Sequence, residues 1–207
     1  MHLDDELTDG DHDLDDDGDP FLATRAAQAG ETPSPLRSLL EWVGIIAVAL
    51  VVAFGIKAFL FPMFFIPSES MEDTLQIGDR IVVNKLSYKA HDLHRGDIVV
   101  FERPPGNQID PTIKDLIKRV VGLSGDVVEG RDGKVVVNGR ALEEPYVKKG
   151  AQTSNFGPIT VPDQMVWVMG DNREHSADSR VFGPIRDSLI IGRAFLKIWP
   201  PSHIGGL

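Results

Sequence analysis

The sequence contains no cysteine. That excludes a disulfide framework, a thiolate metal site and a cysteine nucleophile. Residues 1–20 hold no lysine or arginine, yet they carry ten of the 31 acids. The other 21 acids meet 21 bases, so the net charge of −10 belongs to a tail and the remainder is neutral. No strongly basic face follows, and nucleic acid is not an expected partner. Charge is also absent from Trp42 through Ile56.

What is present suffices for one globular domain and an anchor: 207 residues, 42% apolar and 25% charged. The acidic stretch continues into Gly, Ala and Pro, and cannot bury enough apolar surface to offset its ordering entropy. Residues 1–38 are therefore expected to be a disordered acidic tail. A tryptophan then opens an apolar run: Trp42 to Ile66 is 25 residues with one ionisable group, Lys57. A bilayer core needs about 20 such residues. The expectation is one transmembrane helix over 39–62, against the alternative of a buried core helix. Trp42 suits one interface. Lys57 can snorkel toward the other, near Phe59, Phe61, Phe64 and Phe65, and Pro62 closes the helix. A cleaved signal peptide fits poorly, because the leading region is acidic. Arg25 and Arg37 favour a cytoplasmic N terminus.

From Pro67 the pattern changes to short Val/Ile-rich runs: Arg80–Asn84, Asp97–Phe101, Ile117–Val121, Lys134–Asn138, Met165–Met169 and Ala194–Trp199. Gly-Asp, Asp-Gly and Asn-Gly turns separate them. Asp132-Gly133 and Asn138-Gly139 bracket one strand, which predicts a tight meander. Gly150 to Gly157 reads as a loop.

Three polar segments could carry chemistry. Pro67-Ser-Glu-Ser-Met71, with Thr74-Leu75, follows the apolar run; in isolation it also reads as a linker. In Asp115–Gly122, strand alternation puts Lys118 on one face with Leu116 and Val120. A lysine buried there would have a lowered pKa and could accept a proton from a serine; alternatively it is an edge lysine reaching water. Gly170 to Arg180 is dense in polar groups, either a salt-bridged brace or a solvated loop.

Taken in order, these segments, with Gly78-Asp-Arg-Ile-Val-Val-Asn-Lys85 between the first two, resemble the four boxes of bacterial type I signal peptidase, or leader peptidase. The resemblance covers the apolar run and then about Ile66 to Pro200. It implies a mostly β, antiparallel catalytic domain over 63–207, with a smaller β insertion at about 127–161. It also implies a membrane-bound endopeptidase that removes signal peptides from exported preproteins, with the protein-export machinery nearby and no metal or organic cofactor. Ser70 would be the nucleophile and Lys118 the general base. Ser176 would hydrogen-bond and orient the lysine amine. Asp178 and Arg180 would pair to hold their loop, and Met71 would pack beside the nucleophile. The Ser70 N–H and the Ser68 hydroxyl would form an oxyanion hole, a device worth about 3 kcal/mol of barrier per donor. The resemblance further implies the cell membrane as location, with one pass and the catalytic domain on the outer face.

Asp73 and Ser124 stand where the family usually has proline, which bears on local turns. Independently of the family, Ser70 lies within about 15 Å of chain from Ile66. That is the height at which a signal peptide presents its cleavage site. Rival readings are a Ser-His-Asp arrangement drawn from His175, Asp171 and Asp178, a metal held by His91 and His94, an inactive membrane-anchored β scaffold, and a self-cleaving Ser-Lys regulator.

Overall fold

The computed structural model describes residues 34–106 and 110–207. The tail expected over 1–38 lies, through residue 33, outside the described residues. Its last four residues belong instead to the first helix, α1, Pro35–Leu60. The local chemistry explains this start. Ser34 Oγ accepts from Arg37 N at 3.4 Å, and Pro35 occupies the first helical position, where its missing N–H costs nothing. At the other end, Phe61-Pro62 stops the ladder. The helix is long and apolar enough to cross a membrane, and none of its residues is buried. The chain divides between Val51 and Val52, so the last turns of α1 go with the β structure.

Among the described residues, twelve strands form two sheets. The larger contains β1 (Met63–Phe65), β2 (Arg80–Asn84), β3 (Ile98–Glu102), β4 (Asp115–Gly122), β9 (Met165–Met169), β10 (Ile185–Arg186), β11 (Ile190–Trp199) and β12 (Gly205–Gly206). Its order is β1-β2-β11-β3-β4-β9-β10, with β12 also on β11, and its pairings are antiparallel. The smaller sheet has the order β7-β6-β5-β8, built from β5 (Val127–Arg131), β6 (Lys134–Val137), β7 (Arg140–Ala141) and β8 (Phe156–Thr160). It is the small β insertion, leaving the large sheet after β4 and returning at β9.

The meander forms as its turns require. Asp132 and Asn138 take φ of 53° and 52°, each followed by a glycine at 76°. Positive φ at both central residues is what a two-residue hairpin with native twist demands. β8 departs from the expected loop over 150–157, because Phe156 pairs with Gly130 of β5. The Gly-Pro inside that run disguises a strand. Proline is tolerated there because β8 is an edge of its sheet.

Three apolar clusters hold the domain together. One gathers Ile66, Met71, Leu75, Ile81, Val83, Ile98, Val100, Ile117 and Ala194. A second centres on Val99, Phe101, Val120, Val166, Val168 and Ile185. The third, including Val121, Val128, Val135 and Trp167, joins the insertion to the large sheet. Phe156 stacks on Trp167 at 5.2 Å between ring centres. Each fully buried aliphatic side chain contributes about 1.5–3 kcal/mol, so these contacts, rather than the short strands alone, fix the register.

Candidate active site

The segment carrying Ser70 is not regular structure, so its position depends on anchors. Ile66, Met71 and Leu75 are all sunk in one cluster. Ile66 N donates to Asp79 O at 2.9 Å, and Gly78 N donates to Ile66 O at 2.9 Å. Buried side chains on both sides of Ser70 thus pin a turn whose exposed residues, Ser68 and Glu69, face water. Met71, next to the serine, is a core residue beneath it. Asp73 is exposed in the same turn. Ser124 lies between β4 and β5, its hydroxyl 3.3 Å from Pro162 O.

Lys118 comes from β4, which is paired on both sides: Val99 of β3 faces Lys118, and Met169 of β9 faces Arg119. A central strand leaves its side chains no edge to escape past. Lys118 is 3% exposed. Its Nζ lies 2.7 Å from Ser70 Oγ and donates to Ile117 O at 2.8 Å. Among the described residues no carboxylate forms an ion pair with it. Burial pushes the amine down from its ordinary 10.5 to about 8, while the fields of Asp178 and Asp171 partly oppose that shift.

Ser68 Oγ stands 3.4 Å from Ser70 Oγ. Asp178 is fully buried and held from several sides. Arg180 grips both its oxygens at 2.8 Å, and Gly170 N donates to it at 3.0 Å. The carboxylate also caps the one-turn helix α2 that follows, Ser179–Phe182.

Ser176 differs from expectation. The amine's hydrogen bonds go to Ser70 and to the Ile117 carbonyl, so Ser176 does not bond it here. Its Oγ is buried with no hydrogen-bond partner among the described residues. It packs against Gly170, where a Cβ would collide with both Ser176 Oγ and the Ser70 carbonyl. A glycine is needed at that junction because two elements of the site touch across it.

The rival triad is not assembled. His175 is exposed, and its ring makes no hydrogen bond to Ser70, Ser176, Asp171 or Asp178 among the described residues. It lines a cleft of about 410 Å³ with Glu69, Asp73, Lys148 and Asn172. Asp171 is committed elsewhere: Arg119 holds both its oxygens, at 2.9 and 2.7 Å, and Thr74 Oγ1 donates to it at 2.5 Å. Among the described residues no group of three or more metal-binding side chains occurs.

Sequence reasoning quoted Arg119 and Asp171 within boxes but did not pair them. It missed Glu144, Tyr146, Thr153 and Arg173 as members of the same buried polar layer. Arg173 binds Glu144 at 2.6 and 2.8 Å and Thr153 at 3.1 Å. These partners lie 20 or more positions apart, and no local pattern announces them.

A hydroxyl in contact with a buried amine, beside a serine-rich turn, has the groups that acyl transfer requires. Comparison with known proteins agrees. Residues 39–199 match the family described as signal peptidase, peptidase S26. Signal peptidase I of Leptolyngbya laminosa is 39% identical over 191 residues, covering 91% of this chain and 94% of that protein. Signal peptidase I of Mycobacterium tuberculosis is 37% identical over 246 residues, covering 93% and 82%. A crystal structure of a signal peptidase I from Enterococcus faecalis is 32% identical, with a TM-score of 0.42, covering 50% of this chain and 97% of that one. The chain belongs to the signal peptidase family and is a serine endopeptidase of that class.

Proposed function

We propose that this protein is a membrane-anchored signal peptidase that cleaves exported preproteins with Ser70 as nucleophile and Lys118 as general base. The observation that carries the reading is the 2.7 Å contact between Ser70 Oγ and a buried, carboxylate-free Lys118. A lysine so placed is neutral in a useful fraction of molecules near pH 8, and a neutral amine can take the serine proton.

Lys118 Nζ accepts the Ser70 proton as Oγ attacks the scissile carbonyl carbon. The developing oxyanion is assigned to the Ser70 N–H and the Ser68 hydroxyl. The tetrahedral species collapses with C–N cleavage, Lys118 returns the proton to the leaving amine, and the acyl group stays on Ser70. Water, deprotonated by the same amine, then releases it. Ser176, whose hydroxyl has no partner among the described residues, is assigned to hold the amine once Ser70 turns to substrate. Asp178, Arg180 and Gly170 fix the loop that carries Ser176. The α1 helix is assigned to the bilayer, with the N terminus cytoplasmic and the catalytic domain outside. Nothing favours an inactive scaffold, since both reacting groups are present and in contact.

The test is cleavage of a preprotein by the full chain in detergent micelles. Wild type should cut after the small-residue site, and Ser70→Ala and Lys118→Ala should each lose at least about 10³-fold in kcat/KM while folded. Wild-type kcat/KM should fall as pH drops through about 8, where the amine protonates. Near wild-type cleavage by Lys118→Ala would put the base elsewhere.

A further inference from the structure

Arg119 is the residue after the proposed base, and its guanidinium is sandwiched. One edge grips Asp171, NH1 donates to Gly96 O at 2.8 Å, and the Tyr146 ring covers a face with 3.9 Å from guanidinium carbon to ring centre. Tyr146 comes from the segment that joins β7 to β8 within the insertion, not from the large sheet. Its hydroxyl donates to Glu144 Oε1 at 3.1 Å. Glu144 in turn holds Arg173, 2% exposed, whose Nε donates to Gly170 O at 3.0 Å. Gly170 is the residue wedged between Ser70 and Ser176. The Tyr146 side chain therefore bridges two buried ion pairs, one beside Lys118 and one under the Ser176 loop. Burial pushes the Tyr146 hydroxyl up, so it stays protonated as a donor.

We infer that Tyr146 is a positioning residue for the general base, acting through Arg119: its ring keeps water from the Arg119–Asp171 pair. This rests on the Ser-Lys reading above. The carboxylates whose fields reach Lys118 are Asp178 and Asp171, neutralised by Arg180 and Arg119 respectively. Those around Tyr146 are Glu144, Arg173 and Arg119. Removing the ring admits water and loosens Arg119 from Asp171. Both changes favour protonated Lys118, so they act in the same direction.

The experiment is the pH profile of kcat and KM for preprotein cleavage by the full chain in micelles. Wild type is compared with Tyr146→Phe, Tyr146→Leu and Tyr146→Met. Tyr146→Phe keeps the ring and should keep the wild-type acid limb. Tyr146→Leu and Tyr146→Met should move that limb up by about one pH unit and lower kcat about tenfold with KM nearly unchanged. A limb that coincides with wild type in a folded ring-less variant overturns the inference, as does loss of folding in both, which would make Tyr146 merely structural. A wild-type profile with no acid limb would instead sink the Ser-Lys reading, so the two failures are separable.

Discussion

Lys118 and Arg119 are neighbours on β4 and point to opposite faces of the same sheet. Both are buried cations. On one face the lysine meets a serine hydroxyl and a carbonyl, with no carboxylate bonded to it among the described residues. On the other the arginine has a bidentate carboxylate, a backbone acceptor and an aromatic ring. The two regions use the same desolvation to opposite ends. Where the charge is unpaired, burial drives the proton off and leaves a base. Where each guanidinium nitrogen has an acceptor, burial strengthens the pair and makes a brace. Lysine suits the first role because its pKa moves on burial, and arginine suits the second because it stays charged and presents a planar fork.

The contrast predicts opposite stability effects for adjacent substitutions. Arg119→Met leaves the buried Asp171 carboxylate without its partner. It should cost about 3–5 kcal/mol in chemical denaturation of the full chain in micelles, and Asp171→Leu added to it should restore much of the loss. A cost under about 1 kcal/mol would mean the pair is not the brace described here.

Lys118→Met should do the reverse. In the folded chain the amine titrates at about 8 against an ordinary 10.5. Below pH 8 the folded state must carry a desolvated charge that the unfolded state carries freely. Between about 8 and 10.5 the unfolded state binds more protons, so wild-type stability should rise with pH across that window. Lys118→Met should abolish this slope and be more stable than wild type at pH 6–7 by up to about 3 kcal/mol. A variant less stable than wild type there, with the slope retained, would show that Lys118 is not desolvated. Gaining stability while losing activity is the signature of a group buried for chemistry.

How far the sequence reveals these two faces follows from the range of the interactions. Strands with period-two Val/Ile patterning and Asp-Gly or Asn-Gly turns, such as β2, β6 and β9, are legible because their cause is local. Ser70 and Lys118 were picked out through the resemblance of their segments to a known family, and the Asp178–Arg180 pair because the two are two apart. β8 was not, since Gly157-Pro158 reads as a turn and only its place at a sheet edge permits the strand. Nor was the brace. Thr74, Arg119, Tyr146 and Asp171 come from four separate segments, and each reads locally as an ordinary polar residue. The unpaired Ser176 hydroxyl was likewise invisible, because it depends on how closely Gly170 lets two loops approach.

The smallest expected effect is the sharpest test of which face does the chemistry. His175 neighbours Ser176 in the chain, but its ring lies exposed in the adjoining cleft and bonds none of the reacting or bracing groups among the described residues. His175→Ala should therefore keep kcat/KM within about twofold of wild type, the ordinary range for a surface substitution away from such features. It should also leave the acid limb where wild type has it. A large drop, or a limb relocated in the variant, would transfer the base from the buried lysine to the exposed imidazole, and the contrast between the two faces of β4 would lose its catalytic meaning.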